Sequence, residues 1–120
     1  MKYLLVSLLL IIGLTGCASQ RITELSTAED WVGLANYDVE AGRKSRSEQD
    51  LTSLGASDKE QQSEYQTAYE AHVKEYCKPD NGYHAGISGK PRNSVCIDDA
   101  PQGWLYEDNW ETGLEAGKIF

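Results

Sequence analysis

The sequence predicts a mainly α-helical protein, a small disulfide-stapled helical domain with a glycine-rich loop, preceded by a separate N-terminal segment. Three observations support this prediction. Residues 58–77 contain no Gly or Pro, and their apolar side chains recur every three or four positions, as on one side of a helix. No segment shows the sustained alternation with β-branched residues that is typical of strands. Two cysteines, Cys77 and Cys96, enclose a segment that contains three glycines.

The N-terminal segment has the features of a secretory signal. Lys2 precedes an apolar run over residues 4–14, and small residues follow the run up to Cys17. The run is shorter than the roughly 20 residues that a helix needs to cross a bilayer, and its length suits a signal peptide. We therefore predict a signal peptide over residues 1–16. The alternatives are an ordinary signal peptide with a chance cysteine and an uncleaved N-terminal anchor.

The segment Leu14-Thr15-Gly16-Cys17 resembles the bacterial lipobox, where cleavage leaves a lipid-modified cysteine at the start of the mature chain. The resemblance implies that Cys17 carries lipid, including palmitate, and that several acyl chains hold the protein stably on a membrane. Ala18 and Ser19 follow without an aspartate, which resembles the sorting pattern of outer-membrane lipoproteins. This implies lipid anchoring on the periplasmic side of the outer membrane in a Gram-negative bacterium.

The length and composition argue against a multidomain protein, a nucleic-acid-binding protein and a polytopic membrane protein. The 19 acidic and 11 basic side chains give a net charge of −8, which repels nucleic acid phosphates. Leu, Ile, Val and Phe make up only about 14% of the residues from Cys17 onward, a fraction that suggests disorder in a highly charged chain. The three Trp and the six Tyr that follow Cys17 favour folding instead, because each aromatic side chain buries about 150–250 Å².

The first half of the chain predicts a tether and two helices. Residues 17–26 are expected to form a short polar tether, and residues 27–120 the helical domain. Ser26 and Glu29 have the spacing of a capping box, which predicts a helix over residues 27–45. Its apolar side comprises Trp31, Leu34, Ala35, Val39 and Gly42. Residues 47–54 form a second, short predicted helix that ends at Gly55.

The longest predicted helix covers residues 58–77 and begins at a second capping box, formed by Ser57 and Glu60. One side of it carries Gln61, Tyr65, Ala68, Tyr69, His72, Val73 and Tyr76. Asp108 has the form of an N-cap, so a last helix is predicted over residues 108–118. Trp110 and Leu114 are its expected apolar anchors.

The remaining cysteines, Cys77 and Cys96, form an even pair in a protein predicted to reach an oxidising compartment. A disulfide between them stabilises a chain that is poor in aliphatic residues. The alternative is a zinc site formed by His72, Cys77, His84 and Cys96, although no two of these residues have the short spacing of a zinc clamp. Between the cysteines, Pro79 suits the first position of a short turn of helix within the glycine-rich loop.

These residues resemble an uncharacterised bacterial lipoprotein family, the domain of unknown function 2799. The resemblance covers roughly residues 30–96 and rests on Trp31, Asp38, Gly42, Tyr65, Tyr76, Cys77, Asn81, Gly82, Tyr83, Gly86, Gly89, Val95 and Cys96. The chain departs from the family pattern where Ala35, Val39, Ala68 and His72 replace glycines. The resemblance supports the location and the helical architecture, and it implies no activity.

No catalytic motif is recognisable, so the expected function is that of a structural or interaction module of the cell envelope, without enzymatic activity and without a cofactor. A second hypothesis is a binding domain for peptidoglycan or another envelope glycan, with Tyr83, His84, Trp104 and Trp110 as its surface. A hydrolase centred on His84 is a third, weaker hypothesis, because no partner fixes a nucleophile beside it.

Two charged segments of the sequence are candidate binding sites. The basic run 43–46 suits an anionic headgroup or a carboxylate-bearing partner, or simply a helix C-terminus. The acidic pairs 98–99 and 107–108 lack the alternating spacing of a calcium-binding loop, which favours a solvated acidic segment.

Overall fold

The computed structural model describes residues 18–119, and within that range the chain is helical and contains no strand. Residues 18–27 form α1. The following elements are α2 (Trp31–Glu40), α3 (Glu48–Ser53), α4 (Lys59–Tyr76), α5 (Pro79–Ile87), a π-helical turn (Val95–Asp99) and α6 (Gly103–Gly117). The predicted all-α fold class is confirmed. The predicted signal peptide and lipidated Cys17 lie outside the described residues.

Two helix pairs form the body of the protein. In the first pair, α2 packs against α4, and Trp31, Leu34 and Val39 are buried together with Tyr65 and Tyr69. In the second pair, α5 packs against α6, and Tyr106 is the largest buried side chain contributed by α6. Aromatic rings therefore supply much of the core, as expected for a chain that is short of aliphatic residues.

The Cys77–Cys96 disulfide joins these parts and confirms the predicted pairing. It connects the end of α4 to the π-helical turn, with a Cα–Cα distance of 4.8 Å. Both cysteines are buried within the core. The alternative zinc site is wrong for this structure, because the two thiols that it requires are bonded to each other.

The segment predicted as a glycine-rich loop is largely helical, which corrects that part of the prediction. Pro79 occupies the start of α5, and Gly82 and Gly86 lie inside the helix, where they allow a close approach to α6. A Cβ atom on Gly86 would collide with the Trp110 carbonyl oxygen, and one on Gly113 with the Tyr83 carbonyl oxygen. These glycines are therefore packing residues of a helix crossing.

The first predicted capping box is also wrong, because the chain is already helical before it. The Ser26 hydroxyl donates to the Ile22 carbonyl, 2.7 Å away, inside α1. Helix α1 then ends in a turn with Glu29 in the left-handed conformation, at φ 54°. Asp30 is the N-cap of α2 and accepts a hydrogen bond from the Gly33 amide at 2.8 Å.

Residues 18–27 differ from the polar tether that was predicted for residues 17–26. They form α1, and Leu25 is only 5% exposed and belongs to the hydrophobic core. Ile22, one turn earlier, packs against the same core. The folded domain therefore begins before residue 27, the predicted boundary.

The remaining helices match the predictions, with shifted ends. Ser47 is the N-cap of α3, and the long predicted helix corresponds to α4, whose N-cap is Asp58 instead of Ser57. The predicted buried side of α4 is confirmed, with Tyr65 and Tyr69 at its centre. The last helix begins at Gly103, five residues before the predicted start, so Asp108 lies inside α6.

Candidate functional site

A buried ionic cluster connects α2, the segment after it and α4. The Asp38 carboxylate is fully buried and receives two hydrogen bonds from the Arg46 guanidinium, at 2.7 and 2.9 Å. The Tyr65 hydroxyl donates to the same carboxylate at 2.7 Å and accepts from the Arg46 amide at 3.2 Å. All the polar groups of this cluster have partners, which indicates a structural role.

The cluster changes the titration of its tyrosine. Burial, followed by the hydrogen bond to Asp38, raises the pKa of Tyr65 far above the usual value near 10. Tyr65 therefore stays protonated at neutral pH and keeps its hydrogen available for Asp38. A group held in this state is not available as a general base.

The basic run 43–46 does not form a single cationic patch. The Arg46 side chain is only 14% exposed and is neutralised by Asp38. The Arg43 carbonyl accepts a hydrogen bond from the Tyr69 hydroxyl at 2.6 Å, which positions the backbone. Only the side chains of Arg43 and Lys44 remain exposed as cations in this run.

The four residues of the predicted glycan surface do not form one surface. Trp104 is 72% exposed, whereas Trp110 is partly buried and donates through its indole nitrogen to the Lys90 carbonyl at 2.9 Å. Tyr106 and Trp110 lie on the side of α6 that contacts α5. Trp104 comes two residues before Tyr106 and therefore lies on nearly the opposite side of the helix. Tyr83 and His84 are neighbours on α5, with ring centroids 6.0 Å apart.

The two histidines have different surroundings. His72 stacks on Tyr76 with ring centroids 5.6 Å apart, and its Nε2 lies 3.1 Å from a Glu40 carboxylate oxygen. This contact ties α4 to α2. His84 is exposed on α5 and lines a shallow cleft.

No three His, Cys, Asp or Glu side chains converge as metal ligands in residues 18–119. One residue from each of the acidic pairs 98–99 and 107–108 is instead bound by a cation. The Arg92 guanidinium binds Asp98 and Glu107, at 3.2 Å in each case. These pairs connect the segment after α5 to the π-helical turn and to α6.

Asn93 is a buried polar residue that holds two elements together. Its side-chain nitrogen donates to the Val39 carbonyl at the end of α2, at 2.9 Å. Its side-chain oxygen accepts from the amides of Val95 and Cys96 at the start of the π-helical turn, at 3.0 and 3.1 Å. Nothing in the sequence pattern distinguished Asn93 from a loop asparagine.

A cleft that contains a lysine and no acidic lining residue lies between the end of α4 and α5. We refer to it as the α4–α5 cleft, and it is lined by Tyr76, Asn81, His84, Ala85, Ser88 and Lys90. Its volume is about 270 Å³, slightly below the range of pockets for drug-sized ligands. Of these residues, only His84 was a predicted surface residue. Lys90 was missed because its position depends on how α5 ends.

Taken together, the helices, the disulfide and the shallow surface define a small, all-α, disulfide-linked domain. The chain belongs to the family described as "Protein of unknown function (DUF2799)", whose sequence model matches residues 30–115. The matched region begins at the N-cap of α2 and extends into α6, beyond the region 30–96 on which the resemblance was based. Neither a curated protein nor a solved structure matches the chain.

Among the described residues, no helix has both the length and the apolar character required for a transmembrane span.

Proposed function

We propose that the protein is a lipoprotein of the bacterial outer membrane, held on the periplasmic side by lipid on Cys17, and that it acts as an interaction module without enzymatic activity. The carrying observation is the apolar run over residues 4–14 that ends in Leu14-Thr15-Gly16-Cys17. The disulfide is consistent with this proposal, because such bonds persist in the periplasm and are rare in the cytosol.

Helix α1 gives the proposed anchor a specific consequence. Because Leu25 is a core residue and residues 18–25 are helical, the chain rises about 12 Å between the anchor and the core. An extended tether of residues 18–26 would reach about 30 Å. The lipid on Cys17 therefore holds the helical body close to the membrane surface, where its partners lie in the same membrane or directly beside it.

The first test is lipidation. Cells grown with a clickable palmitate analogue are expected to label the wild-type protein, and Cys17→Ala is expected to abolish labelling and leave an uncleaved precursor. Ser19→Ala is the matched control, and it is expected to be labelled normally. Label retained on Cys17→Ala contradicts the proposal, as does wild-type protein that fractionates away from outer membranes.

The partner is tested in intact cells. Crosslinking at the exposed lysines, followed by mass spectrometry, is expected to recover the same envelope protein from wild-type cells in repeated experiments. Cys17→Ala is expected to lose that partner, because the unlipidated precursor is no longer held at the outer membrane. A crosslink pattern that does not change on loss of the anchor contradicts a membrane-bound interaction module.

One observation favours glycan binding as a second candidate. Trp104 is 72% exposed, and Asp108 and Glu111 follow it on the same side of α6 and are also exposed. An open aromatic face combined with carboxylate acceptors suits the apolar face and the hydroxyl groups of a sugar. Retention on purified peptidoglycan that is lost in Trp104→Ala and kept in Val32→Ala would support this candidate. Absence of retention for the wild-type protein would exclude it.

A further inference from the structure

We propose that the α4–α5 cleft binds a small organic anion, a carboxylate or phosphate group carried on a body of about monosaccharide size, with Lys90 as the main contact to the charge. This inference concerns a different surface from Trp104, and it does not depend on the lipid anchor. It rests on the charge of the cleft, on the way its walls are held and on its size.

The charge of the cleft is opposite to that of the protein. The chain carries a net charge of −8, yet no Asp or Glu is among the residues that line the α4–α5 cleft. Other grooves on the described surface contain acidic residues, such as Glu70 and Asp99 between α4 and the segment before α6. A cleft with a cation and without carboxylates in an acidic protein is complementary to an anion.

Lys90 is free to provide that charge. No ion pair of Lys90 occurs in residues 18–119, and its ammonium group lies 5.9 Å from the centre of the Tyr76 ring. The polar residues that line the cleft with it are Tyr76, Asn81, His84 and Ser88, and the Ser88 hydroxyl and the His84 ring can donate to an oxyanion. Charged donors to carboxylate or phosphate form hydrogen bonds about twice as strong as neutral ones.

The position of Lys90 is fixed by its backbone. Gly89 adopts the left-handed conformation, at φ 74°, and ends α5 in a Schellman motif. In this motif the Lys90 amide donates to the Ala85 carbonyl at 2.9 Å. The Lys90 carbonyl accepts from the Trp110 indole, also at 2.9 Å, so both backbone polar groups are held.

The opposite wall is held equally well. The Tyr76 carbonyl accepts from the Asn81 side-chain amide at 3.1 Å, and the next residue, Cys77, is in the disulfide. His72 stacks against the Tyr76 ring. A ligand therefore meets walls that are already ordered, which reduces the entropic cost of binding.

The size of the cleft limits the ligand. A volume of about 270 Å³ lies just below the lower end of ordinary ligand pockets, and Ala85 and Tyr76 provide apolar surface beside the charged groups. A smaller adjoining cleft of about 90 Å³ shares Tyr76, Ala85 and Lys90 and contains Glu40 and Arg92. Because the Glu40 carboxylate repels anions, we expect the anionic group of the ligand to lie in the α4–α5 cleft and not in the smaller cleft.

The test is titration calorimetry on the full-length protein in non-ionic detergent, at constant ionic strength. The probes are glucuronate, glucose 6-phosphate and, as the neutral control, glucose. We expect saturable binding of at least one of the two anions and much weaker binding of glucose. Comparison of glucuronate with glucose 6-phosphate shows whether the charged group is a carboxylate or a phosphate.

Variants connect the binding to Lys90. Lys90→Gln is expected to weaken the affinity for the bound anion by about tenfold or more, and Lys90→Arg, which keeps the charge, is expected to retain most of it. Lys74→Gln is the matched control, because Lys74 is exposed but lies in the groove that contains Glu70 and Asp99. Circular dichroism checks that each variant is folded.

The proposal would be overturned by the absence of saturable binding of either anion, by glucose binding as tightly as the anions, or by equal affinity of Lys90→Gln and the wild-type protein. A loss of affinity in Lys74→Gln as large as in Lys90→Gln would also overturn it, because it would indicate a general effect of net charge.

Discussion

Arg46 binds Asp38 through two parallel hydrogen bonds, from Nε to Oδ2 at 2.7 Å and from Nη2 to Oδ1 at 2.9 Å. The carboxylate is fully buried, and the guanidinium is only slightly exposed. The Tyr65 hydroxyl also donates to Oδ2, so the ion pair connects α2 to α4 through the segment that follows α2. Breaking a buried pair of this type leaves one charge without compensation.

Arg46→Met is therefore expected to lower the free energy of unfolding by about 3–5 kcal/mol. The substitution removes both guanidinium hydrogen bonds and leaves the Asp38 carboxylate buried with Tyr65 as its remaining donor. Urea unfolding followed by circular dichroism measures the loss.

Arg43→Met is the matched control, because the Arg43 side chain is exposed and forms no ion pair among the described residues. Its expected effect is within about 0.5 kcal/mol of wild type. The double variant Asp38→Leu/Arg46→Met is expected to recover part of the stability, because the buried charge is gone, although Tyr65 then lacks its acceptor. Equal effects of Arg46→Met and Arg43→Met would contradict a stabilising role for the pair.

The disulfide leads to a second prediction. Cys77 and Cys96 are 19 positions apart, and a loop of this size restricts the unfolded chain by about 3 kcal/mol. Reduction, or the double variant Cys77→Ala/Cys96→Ala, is expected to unfold much of the helical structure at 37 °C.

Cys17→Ala, which leaves this bond intact, is the control and is expected to melt as the wild-type protein does. Ellman's reagent should detect no free Cys77 or Cys96 thiol before reduction. An unchanged melting curve after complete reduction would show that the helical core is sufficient without the bond.

The helices were the most predictable part of the fold. In α4, an uninterrupted run without Gly or Pro places Tyr65 and Tyr69 on one side, and the periodic pattern alone predicts their burial. The short helix predicted over residues 47–54 corresponds to α3, and its start depends on a local hydrogen bond from the Asp50 amide to the Ser47 hydroxyl. The disulfide was predictable because only Cys77 and Cys96 remain once Cys17 is assigned to lipid.

The parts that were missed depend on contacts between distant segments. The sequence around Ser26 predicts a helix start because α1 has no strong local pattern, and α1 is stabilised instead by burial of Leu25 in the core. The sequence predicts only a short turn of helix within a glycine-rich loop where α5 lies, because glycine disfavours helices in isolation. Its packing against α6 reverses that preference. Lys90 gained its position in the α4–α5 cleft only from the conformation of Gly89 and the contact with Trp110.

The crossing of α5 and α6 leads to a third prediction. Gly86→Ala would gain about 1 kcal/mol from helix propensity in an isolated helix. In this structure a Cβ atom on Gly86 would meet the Trp110 carbonyl oxygen and lie 2.8 Å from the Leu114 amide nitrogen. Both are backbone atoms, so the helices must separate. The expected net effect is a loss of stability of about 1–3 kcal/mol.

Gly117→Ala is the comparison within the same interface. Its Cβ atom would lie 3.0 Å from the Ile87 carbonyl oxygen, near the end of α6, so the expected loss is smaller. Thermal unfolding of the two variants measures the difference. Equal or higher stability of Gly86→Ala would show that the close approach of the helices is not required.

The buried tyrosines lead to a fourth prediction, which concerns the stability of the fold at alkaline pH. Burial raises the pKa of Tyr69 to about 12, with further contributions from the charges of Asp99 and Asp38, and burial also raises the pKa of Tyr106 to about 12. The pKa of Tyr65 is raised further in the same direction. Below pH 10 these side chains are protonated in both the folded and the unfolded chain, and their contribution to stability is fully present. Between pH 10 and about 12 the unfolded chain releases protons that the folded chain retains, so the free energy of unfolding falls as the pH rises.

We expect helical circular dichroism to be lost cooperatively in this window, together with a rise in tyrosinate absorbance at about 295 nm. Tyr106→Phe is expected to shift the midpoint to higher pH, whereas Tyr83→Phe, at an exposed position, is expected to leave it unchanged. If all tyrosines titrated near pH 10 without loss of helix, the burial of their hydroxyl groups would not control alkaline stability.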